Sequence, residues 1–328
     1  MIHRAEEFLN SKDRKLIGWD EILEGGLAPE ATVMSWRGED GGIKSARMGH
    51  DVVMTPGNYM YLDFYQADPK TQPYAIGGYT PIKKVYSYDP VPADSLTVEE
   101  CRHILGVQAN TWTEYIQTPE HLEYMMFPRA LAVAEIGWTS QELRTWEDFK
   151  PRMNAHISKL QGMGIRTFTL SDELEVTMQV DTAGREIEVI LDAEKYPAEI
   201  RYTTDGSVPV ASSALYAGPI TVQDSAHIKA AIFRDGVLQG TPTEKKVDYH
   251  RAINKPIHYN SKLYEGYMAG GTNALLDGYR GGLTYLDGRW QGYLDDLDCV
   301  IDMEEETDIH KVSIRFMQLI GPGVFQPG

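Results

Sequence analysis

The sequence predicts an α/β fold with a parallel sheet over its first half, followed by all-β modules. Three observations carry that expectation. Short apolar runs alternate with helix-like segments as far as about residue 172. Beyond Asp172-Glu173 the apolar residues recur with period two. Asp-Gly pairs then fall between the runs, which is turn chemistry for hairpins.

The apolar runs of the first half are Lys15–Trp19 (KLIGW), Thr32–Trp36 (TVMSW), Asp51–Thr55 (DVVMT) and Ile104–Gln108 (ILGVQ). Each is short enough to be a buried parallel strand. A short helix is expected at Ile43–Met48, closed by Gly49. A long apolar helix is expected over Glu120–Trp138. Another is expected over Arg144–Met163, where Trp146, Phe149, Met153, Ile157 and Leu160 fall on one face. Repeated Gly-x-Gly-x-x-Gly patterns do not occur, which disfavours a dinucleotide fold.

The residues at each strand exit are more informative than the strand itself. The first run ends in Trp19, then Asp20-Glu21; the second ends in Trp36, then Arg37-Gly38-Glu39-Asp40. The third leads into Pro56-Gly57-Asn58-Tyr59-Met60-Tyr61-Leu62-Asp63. The fourth turns polar at Gln108 and delivers Trp112 and Glu114. In parallel sheets, ligands sit at the C-terminal ends of the strands. Aromatics at four successive strand ends, with carboxylates beside the last three, point to one shared pocket. A flat apolar wall beside a carboxylate suits a sugar, whose ring face stacks and whose hydroxyls donate hydrogen bonds. The long link over 64–102, rich in Tyr and Pro, reads as an ordered pocket wall or a surface for a neighbouring subunit.

The stretches GWDEILEGG (18–26), VMSWRG (33–38), YLDFYQ (61–66), GVQANTWTE (106–114) and FPRALAVAEIGW (127–138) resemble the C-terminal half of the catalytic barrel of β-N-acetylhexosaminidases, glycoside hydrolase family 20. The resemblance covers residues 1–172 and implies the last four strands of a TIM-type β/α barrel. It implies an exo-enzyme that removes terminal β-linked N-acetylglucosamine or N-acetylgalactosamine by substrate-assisted retaining catalysis, without a cofactor or metal. Trp19, Trp36 and Trp112 would wall the acetamido pocket, and Tyr61 would orient the acetamide. Asp63 and Glu114 would bind sugar hydroxyls. The parent enzyme is expected to be secreted, periplasmic or in the cell envelope.

One departure matters. The family's adjacent Asp and Glu, the acetamide-orienting group and the general acid, stand in a His-x-Gly-Gly-Asp-Glu context that this sequence lacks. Asp20-Glu21 belongs to a later strand and reads as a helix cap with a first-turn acid. A full barrel takes about 250 residues, more than residues 1–172 supply. The sequence therefore reads as a fragment of a larger enzyme, itself inactive, with Met1 an added start. An open half barrel is expected to associate into a homo-oligomer. The rival reading is a non-catalytic carbohydrate-binding or scaffold protein that kept half a barrel.

In the second half, period-two strands are expected at Glu186–Leu191, Glu199–Thr204, His227–Phe233 and Thr243–Tyr249, with turns at Asp205-Gly206 and Asp235-Gly236. Residues 173–252 resemble the immunoglobulin-like C-terminal module of chitobiases and hexosaminidases, read as a structural buttress rather than a sugar binder. Asn254-Lys255-Pro256 reads as a linker. Residues 253–328 resemble the start of a discoidin-like, galactose-binding-type jelly roll, with strands at Leu297–Asp302 and Val312–Leu319. There Tyr285, Arg289 and Trp290 are candidate sugar contacts, with packing the alternative, and Glu304–Glu306 reads as a solvated turn.

Composition bounds the partners. The 328 residues carry a net charge of −17, which argues against nucleic acid and anionic membrane surfaces. The apolar content of 42% supports large cores, and no apolar run is long enough to span a membrane. With only two cysteines, neither a disulfide framework nor a Cys-based zinc site can be built. Neutral, N-acetylhexosamine-terminated glycans are the partners that fit.

Overall fold

The computed structural model describes residues 2–67, 69–181, 186–279, 281 and 289–317. The chain forms two compact units, Met1–Thr169 and Leu170–Gly328.

In the first unit all four expected strands are present: β1 (Ile17–Trp19), β2 (Thr32–Ser35), β3 (Val52–Met54) and β4 (Ile104–Val107). They lie in the order β1-β2-β3-β4, and every neighbouring pair is parallel. Val33, Val52 and Met54 are fully buried, as the short apolar runs require. The helices are α1 (Ile2–Asn10), α2 (Asp40–Arg47), α3 (Gly57–Met60), α4 (Ile82–Tyr86), α5 (Val98–Cys101), α6 (Pro119–Met126), α7 (Arg129–Trp138) and α8 (Trp146–Gly162). Helix α2 begins earlier than the sequence suggested and packs on β2 and β3; α7 packs on α4 and β4. Along α8, Phe149, Met153 and Ile157 are buried on one face, as their spacing predicted.

The single helix expected over Glu120–Trp138 is in fact two. Helix α6 stops at Met126, and α7 restarts after Pro128. Proline lacks the amide that would continue the ladder and biases the preceding residue, Phe127, out of helical geometry; Phe127 is extended, with ψ 134°. Among its described residues the link over 64–102 holds α4, a capping-box start to α5 at Thr97, and a bridge between Tyr65 and Tyr79.

The second unit opens with two sheets that share one core. One has the order β5 (Glu175–Asp181), β6 (Glu186–Asp192), β9 (Ile220–Val222). The other runs β11 (Val237–Val247), β10 (Ala226–Arg234), β7 (Glu199–Thr203), β8 (Ala214–Leu215). Ile187, Val189 and Leu191 of the first meet Ile200, Ile228 and Ile232 of the second. The Asp235-Gly236 turn forms as expected, with φ 52° and 75°, and joins β10 directly to β11. Asp205-Gly206 does not make a tight hairpin. Asp205 instead accepts from the Ser207 amide at 2.9 Å, and Val208-Pro209-Val210 come next before β8.

Farther on lie two small antiparallel pairs, β12 (Ile257–Tyr259) with β15 (Cys299–Ile301), and β13 (Leu263–Met268) with β14 (Gln291–Tyr293). The segment read as a linker is packed: Lys255 is 3% exposed and reaches Glu304 at 2.6 Å. Glu304 is therefore a counter-ion and not only part of a solvated turn. The expected strand at Val312–Leu319 is absent over its described part, residues 312–317, where Val312 is 81% exposed and no strand among the described residues pairs with it. Tyr285 lies outside the described residues.

Candidate active site

The first strand exit places Trp19 beside Asp20. Asp20 is 2% exposed, and it is not a helix cap: the cap position is Trp19, whose side chain makes no capping bond. The Asp20 carboxylate reaches across to the next exit. It accepts from the amides of Trp36 at 3.1 Å and Arg37 at 3.2 Å, and pairs with Arg37 Nε at 2.6 Å. The apparent acid pair is thus divided: Asp20 holds the backbone after β2, and Glu21 accepts from Trp36 Nε1 at 3.0 Å. Hydrogen bonds that Arg37 donates to Glu24 and then Asp20 raise its pKa above the ordinary value. At the end of β2, Ser35 Oγ donates to the Gly38 carbonyl and accepts from the Gly42 amide, joining this exit to α2.

The third and fourth exits are bonded to each other beyond the sheet proper. Tyr61 bridges Asn110 in parallel register. The Leu62 amide donates to the Asn110 carbonyl at 2.7 Å, and the Asn110 amide donates to the Met60 carbonyl at 2.8 Å. Asn110, 8% exposed, also donates from Nδ2 to Thr55 Oγ1 at 2.6 Å and accepts from Gln108 Nε2 at 2.8 Å.

These supports bring the singled-out aromatics together in pairs. Trp19 meets Trp112 at 6.0 Å between ring centroids. Trp36 stacks on Tyr61 at 6.3 Å and 21°. Burial raises the Tyr61 pKa; the nearby Trp112 indole opposes the rise, and the charges of Asp63, Glu21 and Asp20 add to it. Asp63 is 4% exposed, and its Oδ1 has no hydrogen-bond partner among the described residues. Burial raises the Asp63 pKa; backbone amides, Trp112's among them, and Arg129 lower it, while Glu114 raises it. Glu114 itself is exposed, as is Trp112 at 44%.

The result is a rim of half-buried aromatic faces around one buried carboxylate, with a second, exposed carboxylate near it. Such an arrangement stacks an apolar ring face and accepts hydroxyl donors.

Arg129 completes the site and was not singled out from the sequence. It is fully buried and donates to the carbonyls of Leu62, Phe64, Thr80 and Met125. Leu62 and Phe64 flank Asp63, so one guanidinium fixes the chain on both sides of the carboxylate. Its signal was a charged residue inside an otherwise apolar helical stretch.

Two family models match parts of the chain. Residues 1–141 match the model of the glycosyl hydrolase family 20 catalytic domain, and residues 179–244 that of the chitobiase/β-hexosaminidase C-terminal domain. A β-hexosaminidase of Porphyromonas gingivalis is 43% identical over 229 residues, covering 70% of this chain and 29% of the relative. A β-hexosaminidase of Vibrio furnissii is 32% identical over 139 residues, covering 42% of this chain and 23% of the relative. The crystal structure of an exo-β-N-acetylglucosaminidase from Vibrio harveyi, in complex with N-acetylglucosamine, aligns at 31% identity and a TM-score of 0.47, over 51% of this chain and 27% of that one. The chain thus spans less than a third of the length of these relatives. Residues 1–141 of this chain belong to glycosyl hydrolase family 20, and residues 179–244 are a chitobiase/β-hexosaminidase C-terminal domain.

Proposed function

We propose that this chain is part of an exo-β-N-acetylhexosaminidase and supplies the sugar-holding side of its active site. The observation that carries the reading is the pairing of Trp19 with Trp112 and of Trp36 with Tyr61 at the strand exits that also bring the buried Asp63. The four strands would be the last four of an eight-stranded barrel. The ligand is a terminal β-linked N-acetylglucosamine or N-acetylgalactosamine. The three indoles wall its acetamido group, Tyr61 donates to the acetamide oxygen, and Asp63 and Glu114 accept from ring hydroxyls. Held this way, the acetamide oxygen attacks the anomeric carbon as the glycosidic oxygen leaves. Water then opens the resulting oxazolinium with net retention. Enclosure by aromatic faces keeps water from the anomeric carbon until that second step.

The general acid is no part of these 328 residues, which lack the His-x-Gly-Gly-Asp-Glu context. The 328-residue polypeptide is therefore expected not to turn over a chromogenic β-N-acetylglucosaminide, since losing such groups costs several orders of magnitude in rate. In a longer polypeptide that includes the pair, Trp112→Ala should lower kcat more than it raises KM, because holding the acetamide matters most in the transition state. Turnover by the 328 residues alone, abolished by Glu114→Ala, would contradict this reading.

A further inference from the structure

Glu21 is exposed, yet its carboxylate lies on the next strand exit. Both of its oxygens accept from Trp36 Nε1, at 3.0 and 3.1 Å. The adjacent Arg37 pairs instead with Asp20 and Glu24, each at 2.6 Å. Asp20 and Glu21 thus hold Trp36 at both ends. Asp20 takes the amides of Trp36 and Arg37, and Glu21 takes the indole nitrogen.

The two sets of bonds do different things. Those to Asp20 fix the main chain and leave the ring torsion of Trp36 unset, since a terminal torsion between sp³ and sp² carbons is broad. Trp36 is half-buried, so packing holds only part of the ring. The indole N–H is its single polar handle, and an acceptor placed there selects one ring plane. In that plane the indole stacks on Tyr61 at 6.3 Å and 21°, and the Tyr61 ring packs in turn on Phe64 at 5.5 Å. Burial raises the Tyr61 pKa and the charge of Glu21 adds to it, which keeps the hydroxyl a donor.

We propose that Glu21 is a positioning residue for acetamide recognition: by holding the Trp36 indole nitrogen it sets that ring against Tyr61, and so sets the preference of the pocket for N-acetylhexosamines over the same sugars without the acetamide. The inference rests on the acetamido-pocket reading of Trp19, Trp36, Tyr61 and Trp112. Glu21 acts through Trp36 and does not itself touch the sugar, because both of its oxygens lie on the indole.

The test is an NMR titration of the indole N–H signals of the 328-residue protein with N-acetylglucosamine and, separately, with glucose. The chain has six tryptophans, so Trp19 and Trp112 still report binding when Trp36 is replaced. The wild type is expected to prefer N-acetylglucosamine. Glu21→Leu and Glu21→Ala, which remove the acceptor, should each weaken N-acetylglucosamine about fivefold or more and leave glucose within about twofold. Glu21→Gln keeps an acceptor for the indole and should retain the wild-type preference. In Trp36→Phe, whose ring has no N–H, adding Glu21→Leu should bring no further loss, because the effect passes through that bond. Wild-type preference in both Glu21→Leu and Glu21→Ala would overturn the positioning role and leave the pocket reading standing. So would a loss in Glu21→Gln as large as in Glu21→Leu, or a further loss in the Trp36→Phe background, which would make Glu21 a direct sugar contact. Equal binding of the two sugars by the wild type would overturn the pocket reading and the proposal with it.

Discussion

Asp63 and Arg129 share one buried environment without forming a direct ion pair. Arg129 donates to four main-chain carbonyls and offsets the cost of the nearby carboxylate charge. Arg129→Met would leave these carbonyls short of partners. A loss of about 3 kcal/mol or more is expected, since each unsatisfied buried group costs about 1–3 kcal/mol. Urea denaturation monitored by tryptophan fluorescence measures it, and a loss under about 1 kcal/mol would contradict the clamp. Asp63 gives a pH-dependent counterpart. Its pKa is raised chiefly by burial, so the folded state binds the proton more tightly than the unfolded chain does. Stability from this group is fully present below the ordinary carboxylate range and is lost as pH rises through the raised value. Asp63→Asn removes that loss. Its thermal midpoint should gain on the wild type more at pH 7 than at pH 4, while sugar binding falls. Equal gains at both pH values would show that burial does not govern this carboxyl. A site carboxylate that lowers the stability of its own fold is expected where function requires the group.

Elements were legible where one physical cause dominated. The four strands were, because each is a short apolar run bounded by polar residues, with the two central ones largely buried. Face periodicity likewise placed α8, and Asp235-Gly236 marked its hairpin because few residue pairs accept two positive φ angles. The helix over Glu120–Trp138 was misread because apolar periodicity continues across Pro128 while the backbone cannot. Of the site, the aromatic and acidic side chains could be read from their positions after strands. Their supports could not. Asp20 acts 16 residues away at Trp36, and Arg129 acts 67 residues away at Leu62. Nothing local in the sequence encodes those contacts. The segment over 74–80 extends this lesson, since it touches the third exit at Gly78. There φ is +65°, and a Cβ would lie 2.2 Å from the Phe64 ring. Gly78→Ala should therefore displace Phe64 from Tyr61, destabilise the first unit by about 1–3 kcal/mol, and weaken sugar binding. Wild-type affinity combined with wild-type stability would show that this contact does not position Tyr61.

At the scale of the whole molecule, the first unit presents a parallel sheet with β1 and β4 at its two edges. Ile17 on β1 and Leu105 on β4 are 57% and 60% exposed. Unpaired edges and exposed apolar side chains favour association. We propose a dimer or higher oligomer through residues 1–172, to be checked by light scattering after size exclusion. A concentration-independent mass near 36.9 kDa would rule it out. No helix among the described residues is long and apolar enough to cross a membrane. The second unit, with its own shared core, stands as a separate compact body. Whatever the assembly, the account depends on the four strand exits making one pocket that recognises an acetamido group. The measurement that tests this most directly is titration of tryptophan fluorescence in the 328-residue protein with N-acetylglucosamine and, separately, with glucose, which has the same ring without the acetamide. The predicted result is a saturable change with N-acetylglucosamine, at least about tenfold weaker with glucose and absent in Trp112→Ala, since about 1.4 kcal/mol of acetamide contact is a factor of ten. Equal responses to the two sugars, or a response that survives Trp112→Ala unchanged, would contradict it.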